Sequence, residues 1–200
     1  MDSQKLKFNF PKEILRREII NGKVYMMAGA SSSHNEVVGN LFYIFKNFLR
    51  GKKCRVYGEN LNVKFDKDSP EVLPDIKIVC DPGKIKKNGI DGAPDLIVEV
   101  ISPRTKVRDE TTKKELYEKY GVTEYWIINP NDKSIDVYLL KDGKFVRDNI
   151  YVKYEKEDIE EIESVGDEDE KELLKITTIK TSLYGDDLEI NIADIFEGLS

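Results

Sequence analysis

Two short apolar segments that each begin with Pro-Asp constrain this chain more than any other feature. The first is PDIKIVC, residues 74–80, and the second is PDLIVEV, residues 94–100. Both have the length and the β-branched content of strands, and the second carries Glu99 between apolar residues. Burying a carboxylate costs free energy unless it binds a proton, a cation or a metal. The pattern therefore predicts two strands and a site at Glu99.

The alternation of side chains along these strands predicts which acids meet. Asp95, Ile97 and Glu99 share one face of the second strand, and Asp75 shares a face with Lys77 in the first. If the strands are neighbours, Asp75 and Glu99 converge, and two close carboxylates either take up a proton or bind a divalent cation. Oxygen ligands favour Mg²⁺ or Mn²⁺. A turn role for Asp75 and a buried pair between Glu99 and an arginine remain alternatives.

The segment after the second strand predicts a helix with one inward lysine. Residues 109–120, DETTKKELYEKY, have helical spacing of apolar side chains and are followed by Gly121, a typical residue just after a helix end. Lys113 precedes Tyr117 by four positions and Tyr120 by seven, so it is predicted to share their inward face. A lysine there could stabilise charge on a phosphate or position an attacking water. Its stem could instead cover the aromatic rings.

An amphipathic helix is also predicted for residues 31–51, SSSHNEVVGNLFYIFKNFLRG, with Gly51 as its natural end. Glu36 lies in its first turn, where it could bind a metal. It also completes the capping box Ser33-x-x-Glu36, and the two roles are compatible. His34, the one histidine of the chain, is interpreted as a polar first-turn residue rather than a base.

The remaining segments predict an α/β fold with a mixed sheet and few helices. Two apolar runs flank Asn21-Gly22, a strong signal for a β-hairpin. Residues 124–152 alternate strand-like runs with turns and predict an antiparallel meander, and residues 80–95, rich in Gly, Pro, Asn and Asp, predict a loop. The length of 200 residues predicts a single domain, 1–200.

The charge of the chain is concentrated in one segment. Residues 155–172 hold 11 acidic residues and two lysines, a net charge of −9, whereas the rest of the chain holds 30 basic and 27 acidic residues, a net charge of +3. The composition of this acidic segment predicts a solvated loop or an exposed extension, because it cannot build a core. The mildly basic remainder permits a polyanionic partner.

Several features favour a cytoplasmic protein without a membrane anchor. No apolar run approaches the roughly 20 residues that span a bilayer. The segment MDSQKLKFNF lacks the apolar stretch of a signal peptide. Cys54 and Cys80 are too few and too isolated to predict a disulfide framework or a zinc site, and this usage suits a reducing compartment.

Taken together, these segments resemble a known family. The matching pieces are INGKVYMMAGASSSHNEVVGNL, LPDIKIV, GAPDLIVEVISPRTKVRD, then Lys113 and Tyr117, then GVTEYWIINP and IKTSLYGDDLEINIADIF. The chain resembles the Uma-type family of restriction-endonuclease-like proteins, within the PD-(D/E)xK nuclease superfamily. The resemblance covers nearly the whole chain except the acidic segment, which is interpreted as an insertion at about 155–172.

This resemblance implies a restriction-endonuclease-like fold, in which helices flank a central mixed β-sheet. Asp75 matches the metal-binding aspartate of the superfamily, Glu99 matches the acid of its (D/E)xK element, and Glu36 matches a glutamate of its first helix. The chain departs from the pattern at Ile101, where the lysine is expected. The following helix supplies a lysine instead, at Lys113.

Lys77 is a rival for that lysine, because it forms a literal Asp-x-Lys with Asp75. It is interpreted as an exposed strand lysine, which leaves Lys113 as the preferred residue.

The activity that the resemblance implies is Mg²⁺- or Mn²⁺-dependent endonucleolytic hydrolysis of DNA. Asp75, Glu99 and Lys113 would be catalytic, with Glu36 as a further metal ligand. A homodimer would explain cutting of both strands. The alternative is a catalytically inactive nuclease-fold module that binds nucleic acid or protein. The resemblance also makes the segment RTKVR a candidate contact for the DNA backbone, although it could be a solvated turn; its basic residues are Arg104, Lys106 and Arg108.

Overall fold

Two six-stranded β-sheets, one two-stranded sheet and six short or medium α-helices form most of the regular structure in the part of the chain that the structure describes. The computed structural model describes residues 17–20, 22–26 and 29–199, apart from the side chain of Asp186. The strands are β1 (Arg17–Ile20), β2 (Lys23–Met26), β3 (Arg55–Gly58), β4 (Val63–Lys64), β5 (Glu71–Val72), β6 (Ile76–Val79), β7 (Ile85–Lys86), β8 (Gly89–Asp91), β9 (Leu96–Val100), β10 (Glu124–Asn129), β11 (Ser134–Lys141), β12 (Lys144–Val152), β13 (Thr178–Lys180) and β14 (Glu189–Asn191).

The α-helices are α1 (Ser32–Phe48), α2 (Lys106–Arg108), α3 (Lys114–Tyr120), α4 (Lys156–Val165), α5 (Glu168–Leu173) and α6 (Ile192–Ile195). A π-helical turn, Asp109–Lys113, joins α2 to α3. Short 3₁₀ turns lie at Pro82–Lys84 and Gly185–Asp187. Gly121 ends α3 in the left-handed conformation, with φ of 80°, as its position after the predicted helix indicates.

The sheet with the longer strands, which we name the main sheet, has the order β12-β11-β10-β9-β6-β3. Its β9 and β10 are parallel, whereas its other neighbouring strands are antiparallel. A parallel pair needs a crossover connection, and the segment with α2, the π turn and α3 provides it. The predicted mixed sheet and the meander β10–β11–β12 are therefore confirmed.

The two faces of the main sheet pack against different elements. On one face, Val37, Leu41 and Phe45 of α1 join a core cluster with sheet residues such as Val98 and Trp126. The other face contacts α3 and a second sheet, whose order is β2-β1-β5-β4-β8-β7. Successive side chains of a strand point to opposite faces of the sheet, so each residue of β9 packs on only one of these two sides.

The predicted N-terminal hairpin is confirmed in the second sheet. Its strands β1 and β2 pair antiparallel from Arg17 with Met26 to Ile20 with Lys23. Gly22 in the turn has φ of 74°, a left-handed conformation that glycine adopts without steric cost. Asn21, the other turn residue, lies outside the described residues.

Helix α1 begins earlier than its predicted capping box. Ser31 is the N-cap, and its side chain accepts a hydrogen bond from the His34 amide at 3.2 Å. The predicted box between Ser33 and Glu36 is therefore wrong, because Ser33 already lies inside the helix. This shift places His34 in the position where the first turn meets the end of the main sheet.

The loop predicted for residues 80–95 contains regular structure. After the 3₁₀ turn, β7 and β8 form a short hairpin, and β8 also pairs with β4. Cys54, just before β3, and Cys80, just after β6, form a disulfide. The sequence analysis predicted no disulfide framework, and nothing in the sequence indicated this single disulfide, because only the pairing of β3 with β6 brings together residues that are 26 positions apart.

The acidic segment is an exposed extension, but it is not a loop. It forms α4 and α5, each starting with a capping box, Glu155 with Asp158 and Asp167 with Glu170. Neither helix has a buried residue. Local capping and charge at the helix N-termini thus favour helices even where no core forms.

Replacing residues 156–173 with a short Gly-Ser linker is expected to leave Tm within about 2 °C of the wild-type value, because this change removes no buried residue. Differential scanning calorimetry measures this Tm. A fall of more than about 5 °C would show that the segment supports the core after all.

Within the described ranges, no helix is long and apolar enough to cross a bilayer.

Candidate active site

Asp75 and Glu99 meet where two neighbouring strands of the main sheet lie antiparallel. Strand β6 pairs with β9 so that Ile76 lies opposite Val98. Asp75 directly precedes Ile76 and Glu99 directly follows Val98, so both acids lie at the same end of this strand pair. The Val100 amide donates a hydrogen bond of 2.8 Å to Asp75 Oδ2. Both carboxylates are buried. The two Pro-Asp strands are therefore neighbours, which is the condition under which Asp75 and Glu99 were expected to converge.

Lys113 lies among three carboxylates at this place. Its Nζ is 2.8 Å from Glu18 Oε1, 3.0 Å from Glu99 Oε1 and 3.4 Å from Asp109 Oδ1. The side chain is 3% exposed, so its stem does not reach to solvent. The prediction that Lys113 faces inward is confirmed, and the alternative of a solvated ammonium above the aromatic rings is excluded. We name Glu18, Glu99, Asp109 and Lys113 the lysine cluster.

The crossover between β9 and β10 positions this lysine. The π turn places Asp109 and Lys113 at its two ends, and π-helical turns are frequent at functional sites. One turn further on, Tyr117 donates from its hydroxyl to Glu99 Oε1 at 2.6 Å. Tyr125 of β10 donates to the Asp109 carbonyl at 3.0 Å and packs edge-to-face on Tyr117. These contacts fix both the helix and the Glu99 carboxylate.

The second sheet supplies Glu18, a residue that sequence reasoning did not single out. Glu18 Oε1 accepts from the Leu73 amide at 3.1 Å in addition to its contact with Lys113. Its Oε2 lies 3.5 Å from an Arg108 Nη. Arg108 also lies over the Tyr25 ring at 4.8 Å. Arg108 was predicted to contact DNA, but the structure turns it towards the lysine cluster.

Burial and charge oppose each other in the lysine cluster. Burial alone lowers the pKa of Lys113, but the charges of Glu99, Asp109 and Glu18 outweigh it and raise that pKa above its usual value. Burial raises the pKa of Glu99 well above its usual value, and Lys113 works in the opposite direction. Burial likewise raises the pKa of Asp109. Lys113 is therefore a firmly held positive charge.

His34 contacts the other acid of the site. Its Nε2 lies 3.2 Å from Asp75 Oδ2, and its Nδ1 is buried without a hydrogen-bond partner among the described residues. Burial lowers the pKa of His34, but the hydrogen bond and the charge of Asp75 outweigh it and raise that pKa. His34 does lie in the first turn of its helix, as interpreted from the sequence, and it also orients Asp75.

Lys77 is not the exposed strand lysine that the sequence suggested. It is fully buried, and its Nζ donates to the Pro74 carbonyl at 3.0 Å. Burial lowers its pKa to about 7, although the charges of Glu99 and Asp75 act in the opposite direction. The interpretation failed because β6 is buried on both faces, between α1 and the second sheet.

The structure does not bring Glu36 to these residues. Glu36 is exposed, and its Oε2 is 3.6 Å from the point where a Cβ on Gly198 would lie. Positions two apart on a helix face different directions, so Glu36 and His34 cannot both reach Asp75. Arg104 reaches the Met26 carbonyl at 3.5 Å, and Lys106 lies half exposed, 3.8 Å from Glu110.

Some of the residues missed by sequence reasoning carried a signal. Glu18 shares a strand face with the buried Ile20, so the period of two would have placed it inward. Asp109 lies four positions before Lys113, the spacing of a helical ion pair. The contact of His34 with Asp75 joins residues 41 positions apart and had no local signal.

The donor set at this place suits a divalent cation. Hydrogen bonds within the described residues use Oδ2 of Asp75 and Oε1 of Glu99, and they leave Oδ1 and Oε2 as acceptors. Mg²⁺ commonly binds one or two carboxylates and completes its coordination with water and phosphate oxygens. The described residues contain no group of three or more His, Cys, Asp or Glu side chains able to hold a metal. Asp75 and Glu99 are therefore two buried carboxylates that could hold one ion, whose other ligands would be water or phosphate oxygens.

The mixed sheet, its crossover helix and the acids at adjoining strands define a nuclease-like α/β fold. The chain belongs to the Uma2 family, described as "Putative restriction endonuclease", whose family model matches residues 4–166. An uncharacterized protein of a Synechocystis strain is 28% identical over 152 residues, which are 76% of this chain and 78% of that protein.

A crystal structure described as a putative nuclease of the DUF820 family, from Anabaena variabilis, has the same fold. Its TM-score is 0.68 at 17% sequence identity, and the match covers 96% of this chain and 95% of that one. At this identity the likeness shows the fold alone. The predicted family and fold class are confirmed, and the matched range ends within the acidic segment.

Proposed function

We propose that this protein is a metal-dependent endonuclease that hydrolyses DNA phosphodiester bonds. The observation that carries the proposal is that Asp75 and Glu99 lie at the same end of the paired strands β6 and β9, with the Lys113 ammonium 3.0 Å from Glu99. Membership of a family described as "Putative restriction endonuclease" supports a nucleic-acid substrate. Two acids and a lysine are the residue types that phosphodiester hydrolysis needs, because negative charge develops on the phosphate.

Asp75 and Glu99 would hold Mg²⁺ or Mn²⁺ through the oxygens that take no hydrogen bond within the described residues. When bound, such an ion lowers the pKa of a coordinated water and offsets charge on the scissile phosphate. His34 holds Asp75, and Tyr117 holds Glu99, so both carboxylates are oriented before substrate arrives. The protein itself therefore contributes preorganisation.

Lys113 would stabilise the negative charge that develops during hydrolysis. Its three carboxylate neighbours keep it protonated and restrict its position, so little reorganisation is needed at the moment of reaction. Arg104 and Lys106, on the exposed part of the same crossover, would contact the DNA backbone. Such contacts predict binding that weakens with salt. A homodimer, which would allow both strands to be cut, completes the proposal.

A second candidate is an inactive nuclease-fold module that binds nucleic acid or protein. The observation that favours it is that Glu99 is satisfied by Lys113 and Tyr117 without a metal. Isothermal titration calorimetry with Mn²⁺ distinguishes the candidates. An endonuclease should bind the ion through Asp75 and Glu99, whereas an inactive module should show no binding that depends on these carboxylates.

Plasmid cleavage tests the proposal directly. Wild-type protein is expected to cleave in Mg²⁺ or Mn²⁺ and to be inactive in EDTA, and Asp75→Asn should reduce the rate by about 10²-fold or more, because it removes a charged ligand. Glu36→Gln is the matched control. Like Asp75→Asn it replaces one carboxylate with an amide, but Glu36 lies near Gly198 and not at Asp75. Equal rates for Asp75→Asn and wild type would refute the assignment of Asp75.

A further inference from the structure

A cleft of about 620 Å³ opens between α1, the end of β3 and the β7–β8 hairpin. Its lining residues include the aromatic residues Phe42 and Tyr57 and the aliphatic residues Leu61 and Ile85. A volume of this size is typical of sites that hold a small organic group. The candidate active site uses none of these side chains.

The cleft lies beside the candidate active site. Asn35, in its wall, directly follows His34, whose ring contacts Asp75. Glu59, also in its wall, is close enough to His34 and Lys77 for its charge to act on the pKa of both. A group bound in the cleft would therefore be adjacent to a phosphate at Asp75.

Glycine residues keep the walls around the Phe42 ring open. Gly39 lies inside α1, where glycine is less favourable than alanine, and a Cβ there would meet no other atom within 4 Å. Its φ is not left-handed, so neither the backbone nor packing requires glycine. At Gly58, on the facing wall, a Cβ would lie 3.8 Å from the Phe42 ring. Larger side chains at either position would enter the cleft.

We infer that this cleft binds an unpaired nucleotide of the DNA substrate, next to the phosphodiester at the candidate active site. The inference rests on the proposed function. Bases stack on aromatic rings without strong sequence preference, as Phe42 and Tyr57 would allow. Asn35 donates its amide to the Ser31 carbonyl, which leaves its Oδ1 to accept from a base edge. Lys87, exposed at the rim, offers a positive charge to the sugar-phosphate backbone.

The substrate class follows from this geometry. A base inside a duplex must leave its stack before it can enter a cleft, at a cost in free energy, whereas an unpaired base is already available. The protein should therefore bind single-stranded or gapped DNA more tightly than a fully paired duplex of the same length.

Oligonucleotides with 2-aminopurine, a base whose fluorescence is quenched by stacking, test the inference. Binding to single-stranded and duplex forms is measured by quenching and anisotropy, once in Ca²⁺ and once in EDTA. Phe42→Leu should weaken single-strand binding about five- to tenfold, because it removes a stacking surface but keeps an apolar side chain. Gly39→Leu should weaken it similarly by filling the cleft. The control Tyr43→Leu removes an aromatic ring that is 69% exposed on the same helix, outside the cleft, and should change affinity less than about twofold.

Parallel cleavage assays separate this inference from the proposed function. Wild-type protein that cleaves DNA but does not quench 2-aminopurine in either condition would overturn the inference alone. Unchanged affinity in both Phe42→Leu and Gly39→Leu would also overturn it. Quenching that is lost in both variants supports the inference even if no cleavage is observed, a result that would count against the proposed catalysis only. Tm measurements confirm that each variant is folded.

Discussion

Replacing Glu99 with glutamine is expected to abolish metal-dependent DNA cleavage while the protein stays folded. The variant keeps an oxygen that can accept from Lys113 and Tyr117, but it loses the charge that would hold a divalent cation. A loss of about 10²-fold or more in the cleavage rate is expected, since charge stabilisation contributes amounts of this order. Cleavage is measured in Mg²⁺ and Mn²⁺, and folding by circular dichroism and Tm.

Glu124→Gln provides the matched control for Glu99→Gln. Glu124 is also a buried glutamate of the main sheet, but it accepts from Trp126 and Ser182 and lies on the α1 face. It should affect stability and leave the cleavage rate within about twofold of wild type, because the Glu124 carboxylate is not near Asp75. If both glutamine variants cleaved at the wild-type rate, Glu99 would be a structural acid and not a metal ligand.

Replacing Lys113 with methionine is expected to destabilise the protein by about 3–5 kcal/mol at pH 7, because removal of one partner leaves buried carboxylates uncompensated. Urea denaturation measures the change. Lys114→Met is the control, since Lys114 lies over the Tyr138 ring at 3.5 Å and is only partly buried. The Lys114→Met substitution should lower the free energy of unfolding by about 1 kcal/mol or less.

The loss of stability in Lys113→Met should depend on pH. Burial raises the pKa of Glu99 and of Asp109, and removal of the lysine takes away the charge that opposes this rise. The folded variant then binds more protons than its unfolded chain, so its stability should increase as the pH falls from about 7 to about 5. A loss of stability that is the same at both pH values would show that Lys113 contributes packing rather than charge.

Periodicity predicted the core of the site because strand and helix geometry is local. The period of two placed Glu99 and Asp75 on defined strand faces, and the helical period separated Lys113 from Lys114. The structure shows that β6 pairs with β9, as the convergence of these acids required, and it confirms that Lys113 faces inward. These predictions succeeded because each depended on residues within one element or on two neighbouring strands.

Predictions that depended on the packing of distant elements failed. Lys77 was expected to be exposed, but the second sheet covers its strand face. The disulfide between Cys54 and Cys80 depends on the β3–β6 pairing, and no local pattern indicated it. Glu36 was expected at the site because it matches a glutamate in the first helix of the nuclease superfamily. The actual start of α1 directs His34 to Asp75 instead.

The sequence by itself determined the family, the mixed sheet and the three residues Asp75, Glu99 and Lys113 as candidates. Only the tertiary structure decided what surrounds them: Glu18 comes from a strand that is 95 positions before Lys113, and His34 from a helix on the other face of the sheet. The physical reason is that periodicity gives the direction of a side chain, whereas its partners depend on the register between elements that are distant in the chain.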